Sequence, residues 1–238
     1  NERGLSLVEV TIMLLVLMLL TGVLAPSMFD FINDAKWVKV KEDCEAIGLT
    51  VARVTRDVGP CLKFRGDQAC TKQNRVDLLH SDGPAVGGQN IGATAPGFSN
   101  GNLAPSWLNG DSTHSDSMEN QFVSNGRLSP YPTPGSLGVG MGGLQTGLGW
   151  RGAYLSPPIG SDPWGQRYLV NSAFLAVATD GCDNGCVEGT RSGGWSKDTF
   201  CISAGPNSVY ETPIAGNGNG GVNRMGDDFI FIISGGTR

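Results

Sequence analysis

Histidine is almost missing from this chain, with His80 and His114 the two among 238 residues. No Cys-x-x-Cys, His-Glu-x-x-His or phosphate-binding glycine loop occurs in it, and no dinucleotide glycine motif directly follows an expected strand. The usual sequence signals of zinc sites, metalloproteases and phosphate-binding-loop enzymes are therefore absent. Both histidines stand in polar, loop-like sequence and are expected to be solvated. Asp227-Asp228 invites a reading as an acid/base pair, but neighbours on a strand point to opposite faces. No catalytic centre is expected. Charge is scarce too: Asp, Glu, Lys and Arg make up 16% of the chain, and the net charge of −5 argues against a dedicated nucleic-acid surface. Low charge with 36 glycines and 13 prolines excludes a helical bundle and favours loop-rich β structure.

Against that background, one stretch is helical and long. From Val10 to Phe29 there are 20 residues without a charge, enough to cross the ~30 Å hydrocarbon core of a bilayer as a helix. Glu9 stands just ahead of the run and Pro26 lies near its end. A plain membrane anchor has no need of that carboxylate, because charged groups in apolar spans are rare without a partner. The helical pattern then continues. Val40, Cys44, Ile47, Val51, Val54 and Val58 recur at helical spacing, while most charged residues fall off that stripe. Gly59-Pro60 stops it. The pattern predicts one helix of roughly 80 Å, membrane-bound in its first half and packed on a soluble domain in its second.

Gly4-Leu5-Ser6-Leu7-Val8-Glu9 and Pro26, in register on an apolar helix, resemble the start of a type IV pilin or a type II secretion pseudopilin. The resemblance covers residues 4 to about 58. It implies cleavage by a prepilin peptidase between Gly4 and Leu5, with Asn1–Gly4 the end of a leader, and methylation of the new N-terminus. It implies an assembly role for Glu9, paired with the Leu5 amine of a neighbouring subunit. It also implies an α+β pilin fold, a long helix on an antiparallel sheet. The partners it implies are identical subunits in a helical filament, the inner membrane and the pilus assembly machinery. Gly22 is a weak helix former and Pro26 leaves the Gly22 carbonyl without a helical partner. The helix is therefore expected to kink or melt between about Gly22 and Pro26 in a filament.

The chain is expected to divide into residues 1–4, a filament-core half-helix 5–29, an amphipathic half 30–58, a loop-rich variable insert 59–150 and a sheet domain 151–238. In the insert, Gly135 to Gly149 carries seven glycines, and Phe98, Trp107, Leu108, Phe122 and Trp150 are spaced as anchors that would pin long loops. Strands are expected at Trp164–Val170, Phe174–Ala178, Phe200–Ser203 and Phe229–Ile233. Ser161-Asp162-Pro163-Trp164-Gly165-Gln166-Arg167-Tyr168 is similar to the Asp-Pro-Trp-Gly-x-x-Tyr motif of major pseudopilins and related pilins. Ser203-Ala204-Gly205-Pro206-Asn207 and Gly226-Asp227-Asp228 resemble the loop that holds calcium in pseudopilins, with Asn207 where the family has Asp. A weak calcium site at Asn207, Asp227 and Asp228 is one expectation, and a metal-free hydrogen-bonded turn is the other.

Six cysteines, an even number outside the apolar run, read as a disulfide framework in an oxidising compartment, and so place the C-terminal domain outside. Cys61 with Cys70 and Cys182 with Cys186 are close enough in sequence to form local bridges. That leaves Cys44, on the buried stripe, to pair with Cys201, at the start of a strand.

Overall fold

A computed structural model describes residues 6–58, 78–83, 117–126, 131, 133–134, 149–156, 158–171, 198–212 and 222–234. The chain divides into two compact units, Asn1–Lys39 and Val40–Arg238. Helix α1, Leu7–Val58, is continuous through Gly22 and Pro26.

In the first unit the apolar side chains of α1 are exposed on every side, from Leu7 through Ile32. The helix is long and apolar enough to cross a membrane. The hydroxyls in its apolar run are all turned inward on the backbone. Thr11 donates to the Val8 carbonyl at 2.8 Å, Thr21 to Leu17 at 2.9 Å and Met18 at 3.1 Å, and Ser27 to Leu24 at 2.8 Å. Such back-bonding leaves the helix surface without an unmet donor, as an apolar medium requires.

The second unit is built on a four-stranded antiparallel sheet. Its strands are β1 (Leu78–His80), β2 (Leu169–Asn171), β3 (Thr199–Ser203) and β4 (Phe229–Ser234), in that spatial order. The class is α+β. Val170 pairs with Cys201, and Cys201 with Phe231. The strand alternation puts Leu79, Val170, Cys201, Phe229 and Phe231 in one cluster with the helix stripe. Leu169, Phe200, Ile202 and Ile230 form another, which Tyr210 and Val222 help to cover. All six stripe residues, Val40, Cys44, Ile47, Val51, Val54 and Val58, are fully buried. At about 1.5–3 kcal/mol for each fully buried aliphatic side chain, this contact dominates the domain. Gly48 lets the helix come close to β4: a Cβ there would lie 3.1 Å from the Phe231 ring and 3.3 Å from Ile233.

Several expectations from the sequence need correction. The strand expected over Trp164–Val170 begins only at Leu169, because residues 161–167 are used in a tight turn. β1 has no counterpart among the expected strands. His80 lies in it, 1% exposed, with Nδ1 2.9 Å from the Ser81 carbonyl, so it is buried and not solvated. The expected strand at Phe174–Ala178, the residue His114 and the anchors Phe98, Trp107 and Leu108 lie outside the described residues. Within the insert, a short helix α2, Met118–Phe122, is capped by the Ser117 side chain, which accepts the Glu119 N–H at 3.2 Å. Phe122, Tyr131 and Trp150 are buried in the core. Asn125 holds the Tyr131 backbone from both sides, accepting its N–H at 2.8 Å and donating to its carbonyl at 3.0 Å. Trp150 meets Tyr154 edge to face, with ring centroids 4.8 Å apart.

Cys44 and Cys201 are joined by a disulfide, tying α1 to β3 across 157 residues of sequence. Cys61, Cys70, Cys182 and Cys186 lie outside the described residues. Replacing Cys44 and Cys201 together by alanine should lower the urea unfolding midpoint, through a loss of about 2–4 kcal/mol of stability. A midpoint equal to that of the oxidised parent would show that the bridge contributes nothing.

Candidate functional site

At the start of α1, the Ser6 N–H donates to Glu9 Oε2 at 3.4 Å and the Val10 N–H donates to the Ser6 carbonyl at 3.1 Å. Ser6 is the cap and Glu9 the third helical residue, so Glu9 makes the reach-back half of a capping box. The assembly reading of Glu9 left this out, although Ser6-x-x-Glu9 ahead of an apolar run is its signal. Gly4 and Leu5, the residues of the expected cleavage, lie outside the described residues. Gly22 has open space around it, and Pro26 stands inside the helix.

In the second unit the Asp-Pro-Trp-Gly segment forms a knot of hydrogen bonds. Asp162 is buried, and its Oδ1 accepts the N–H groups of Trp164 at 3.0 Å and Gln166 at 2.8 Å. Its Oδ2 accepts the Ser203 hydroxyl of β3 at 2.6 Å. Gly165 takes φ +88°, the left-handed region that the turn needs. Arg167 follows, 2% exposed, with Nε donating to the Gly83 carbonyl at 2.7 Å. Its own carbonyl accepts the Tyr210 hydroxyl. Ser81 binds the next residue twice, donating its N–H to the Tyr168 carbonyl at 3.0 Å and accepting the Tyr168 N–H at 2.9 Å. The Tyr168 hydroxyl donates to Asp43 Oδ2 on α1 at 2.9 Å. Burial, then the Asp43 carboxylate, push the Tyr168 phenol far above its ordinary range, so it stays a donor. One segment therefore ties together β1, β3, the C-terminal loop and α1.

The C-terminal loop is rich in carboxylates. Asp227 Oδ2 accepts the Asn207 N–H at 3.0 Å. Asp228 Oδ2 accepts those of Glu211 at 2.9 Å and Thr212 at 2.6 Å. Burial raises the Asp228 carboxyl above its ordinary value. Asp227 and Asp228 precede β4 in a turn; Asp228 is fully buried and Asp227 half-buried. The residues expected to hold calcium are partly engaged within the loop. Asn207 Oδ1, the oxygen Asn would offer, already accepts the Val209 N–H at 2.7 Å. Asp227 Oδ1 and Asp228 Oδ1 are buried without a hydrogen-bond partner. Among the described residues, no three His, Cys, Asp or Glu side chains converge as a metal group.

Sequence reading missed Arg167, Ser81 and Tyr210. Their signal is weak, since each works through a partner far along the chain. It also missed the carboxyl pair of Asp82 with Glu119, in which the Asp82 hydrogen bond, burial and charge raise Glu119 above the usual carboxylate range.

Comparisons of the chain with protein-family models, with curated proteins and with solved structures return no match.

Asp162→Ala would leave three donors without their acceptor. A fully buried donor left unmet costs about 1–3 kcal/mol; the Ser203 hydroxyl is buried and the two amides only partly so, so the change should destabilise the domain by about 2–4 kcal/mol, and Asp162→Asn by less. Urea unfolding of the full chain measures both. Unchanged midpoints would show that the turn is held by other contacts.

Proposed function

We propose that this chain is a structural subunit of a type IV pilin-like filament, polymerising through α1. The observation that carries the reading is the exposed apolar part of α1 with Glu9 at its head. Such a surface needs lipid or other copies of itself as cover, and its inward-turned hydroxyls let it pass from one to the other without losing a hydrogen bond. Subunits wait in the inner membrane, a prepilin peptidase cuts after Gly4, and the apolar half-helices bundle in the core of an extracellular filament. The filament serves adhesion, motility or DNA uptake. No catalytic role is proposed.

Glu9 sets the axial register. Its carboxylate already captures the Ser6 N–H of its own helix. A new α-amine on Leu5 of a neighbour, with an ordinary pKa near ~7.7–8, offers it a full positive charge. In a low-dielectric core such a pair discriminates registers more than it adds net stability. A second reading, the major pseudopilin of a type II secretion system, is favoured by the Asp162-Pro163-Trp164-Gly165 turn. A third, a single-pass anchored adhesin, needs only the membrane-spanning helix.

Electron microscopy of sheared surface material separates the three: long fibres of this chain, fibres only on overexpression, or none. Glu9→Val should leave the subunit folded and membrane-inserted while abolishing or strongly reducing fibres. Gly4→Leu should leave an uncut chain in the membrane. Normal fibres from Glu9→Val at parental subunit levels would defeat the register argument.

A further inference from the structure

We infer that the solvent face of α1 in the second unit is a charge-matched seam for a second copy of this chain, parallel to the first and displaced along the helix by about three turns. The Val40–Val58 stripe packs on the sheet, and the opposite face of the same turns carries Glu42, Glu45, Leu49, Arg53 and Arg56. Glu42, Leu49, Arg53 and Arg56 are exposed and Glu45 partly so. The charges are sorted by sign: both carboxylates precede Leu49 and both guanidiniums follow it. A helix that pairs its own charges sets opposite signs three or four residues apart. Here that spacing joins like to like, Glu42 with Glu45 and Arg53 with Arg56. Glu45 meets only Lys41, at 3.9 Å, and Arg56 meets Asp57 through Nε at 2.9 Å. Glu42 and Arg53 have no hydrogen-bond or ion-pair partner among the described residues.

One spacing matches the signs. Arg53 follows Glu42 by 11 residues, Arg56 follows Glu45 by 11, and Leu49 follows the exposed Val38 by 11. Positions that far apart on a helix share a face, about 16 Å along the axis. A neighbour slid by that distance sets its Arg53 and Arg56 beside Glu42 and Glu45, and its Leu49 beside Val38. The face is also antisymmetric about Leu49, with acids seven and four residues before it and bases four and seven after. Antiparallel copies would therefore pair Glu42 with Arg56 and Glu45 with Arg53. The apolar part of α1 decides between the two. It lies at the same end of every copy, and one bilayer or one filament core takes it from both only when they run parallel. The inference rests on the polymerising reading above and adds to the Glu9 contact a second one, outside the apolar core. Exposed ion pairs are individually weak, so the seam selects a stagger and does not by itself hold copies together.

The test uses the full chain, in native membranes and in sheared surface material. In an Arg53→Lys chain, a zero-length carbodiimide should join Glu42 to Lys at position 53 as an amide, found by peptide mass mapping. The two positions lie about 16 Å apart on one helix, so that product forms only between copies. An amide from Glu45 to position 53 in its place, or neither amide, would overturn the inference. Fibre yield at parental subunit levels is the second readout. Glu42→Arg or Arg53→Glu alone should reduce it several-fold, and the two together should restore it. Glu42→Arg with Arg56→Glu should not. Rescue by that second pair in place of the first, or full yield from both single changes, would overturn the inference. An Arg53→Lys chain that gives the Glu42 amide in membranes but no fibres would defeat the filament reading and leave the seam standing.

Discussion

The domain hangs on the contact between the Val40–Val58 stripe of α1 and the inner face of the sheet. The strands are short, three to six residues each, and a sheet of such strands has little stability without a face to pack on. The stripe supplies that face. Two further ties fix its register. The Cys44–Cys201 bridge is covalent, and one residue ahead of Cys44 the Asp43 carboxylate takes the Tyr168 hydroxyl. Gly48, one turn further on, lets the aromatic ring of β4 come in underneath. Hydrophobic burial is not directional; the bridge, the hydrogen bond and the missing side chain at Gly48 turn a greasy contact into one defined position.

That contact was legible in the sequence because helical periodicity over 19 residues, Val40 to Val58, is a strong signal. β3 and β4 were legible as apolar runs between turn-forming residues. β1 was not. Leu78–His80 has three residues, and its pairing with Leu169–Asn171 is decided about 90 positions away. His80 failed for the same reason: its polar neighbours suggested water, and the pairing that buries it leaves no local trace. The strand expected from Trp164 was drawn too early. Asp162 spends its carboxylate on the amides of Trp164 and Gln166, which holds those residues in a turn that propensity alone would have extended.

The candidate site divides along the same line. Glu9 and Pro26 could be picked out because each is out of place in its surroundings, a carboxylate beside an apolar run and a proline inside a helix. Asp162, Trp164 and Gly165 could be found only as a resembling motif, and their mechanical role became visible with Ser203, Gly83 and Tyr210 in place. Arg167 stands in the same segment at a position the motif leaves open, and nothing local marks its role. A buried guanidinium is tolerable only if its donors are met, and its carbonyl partner Gly83 lies 84 residues away.

The long span of the Cys44–Cys201 bridge also bears on how the chain is made. Synthesis runs from the N-terminus, so the Cys44 thiol exists before its partner does. At about 5–20 residues per second, the intervening 157 residues take on the order of ten to thirty seconds. Cys61 and Cys70 are made inside that interval and Cys201 only near its end. The first thiol to be made must wait while nearer, unsuitable partners pass. Closure of this bridge therefore reports that the chain has been made at least as far as β3 and that β3 has docked on the first helix. The bridge is thus a seal on that docking, set only after the two elements have met.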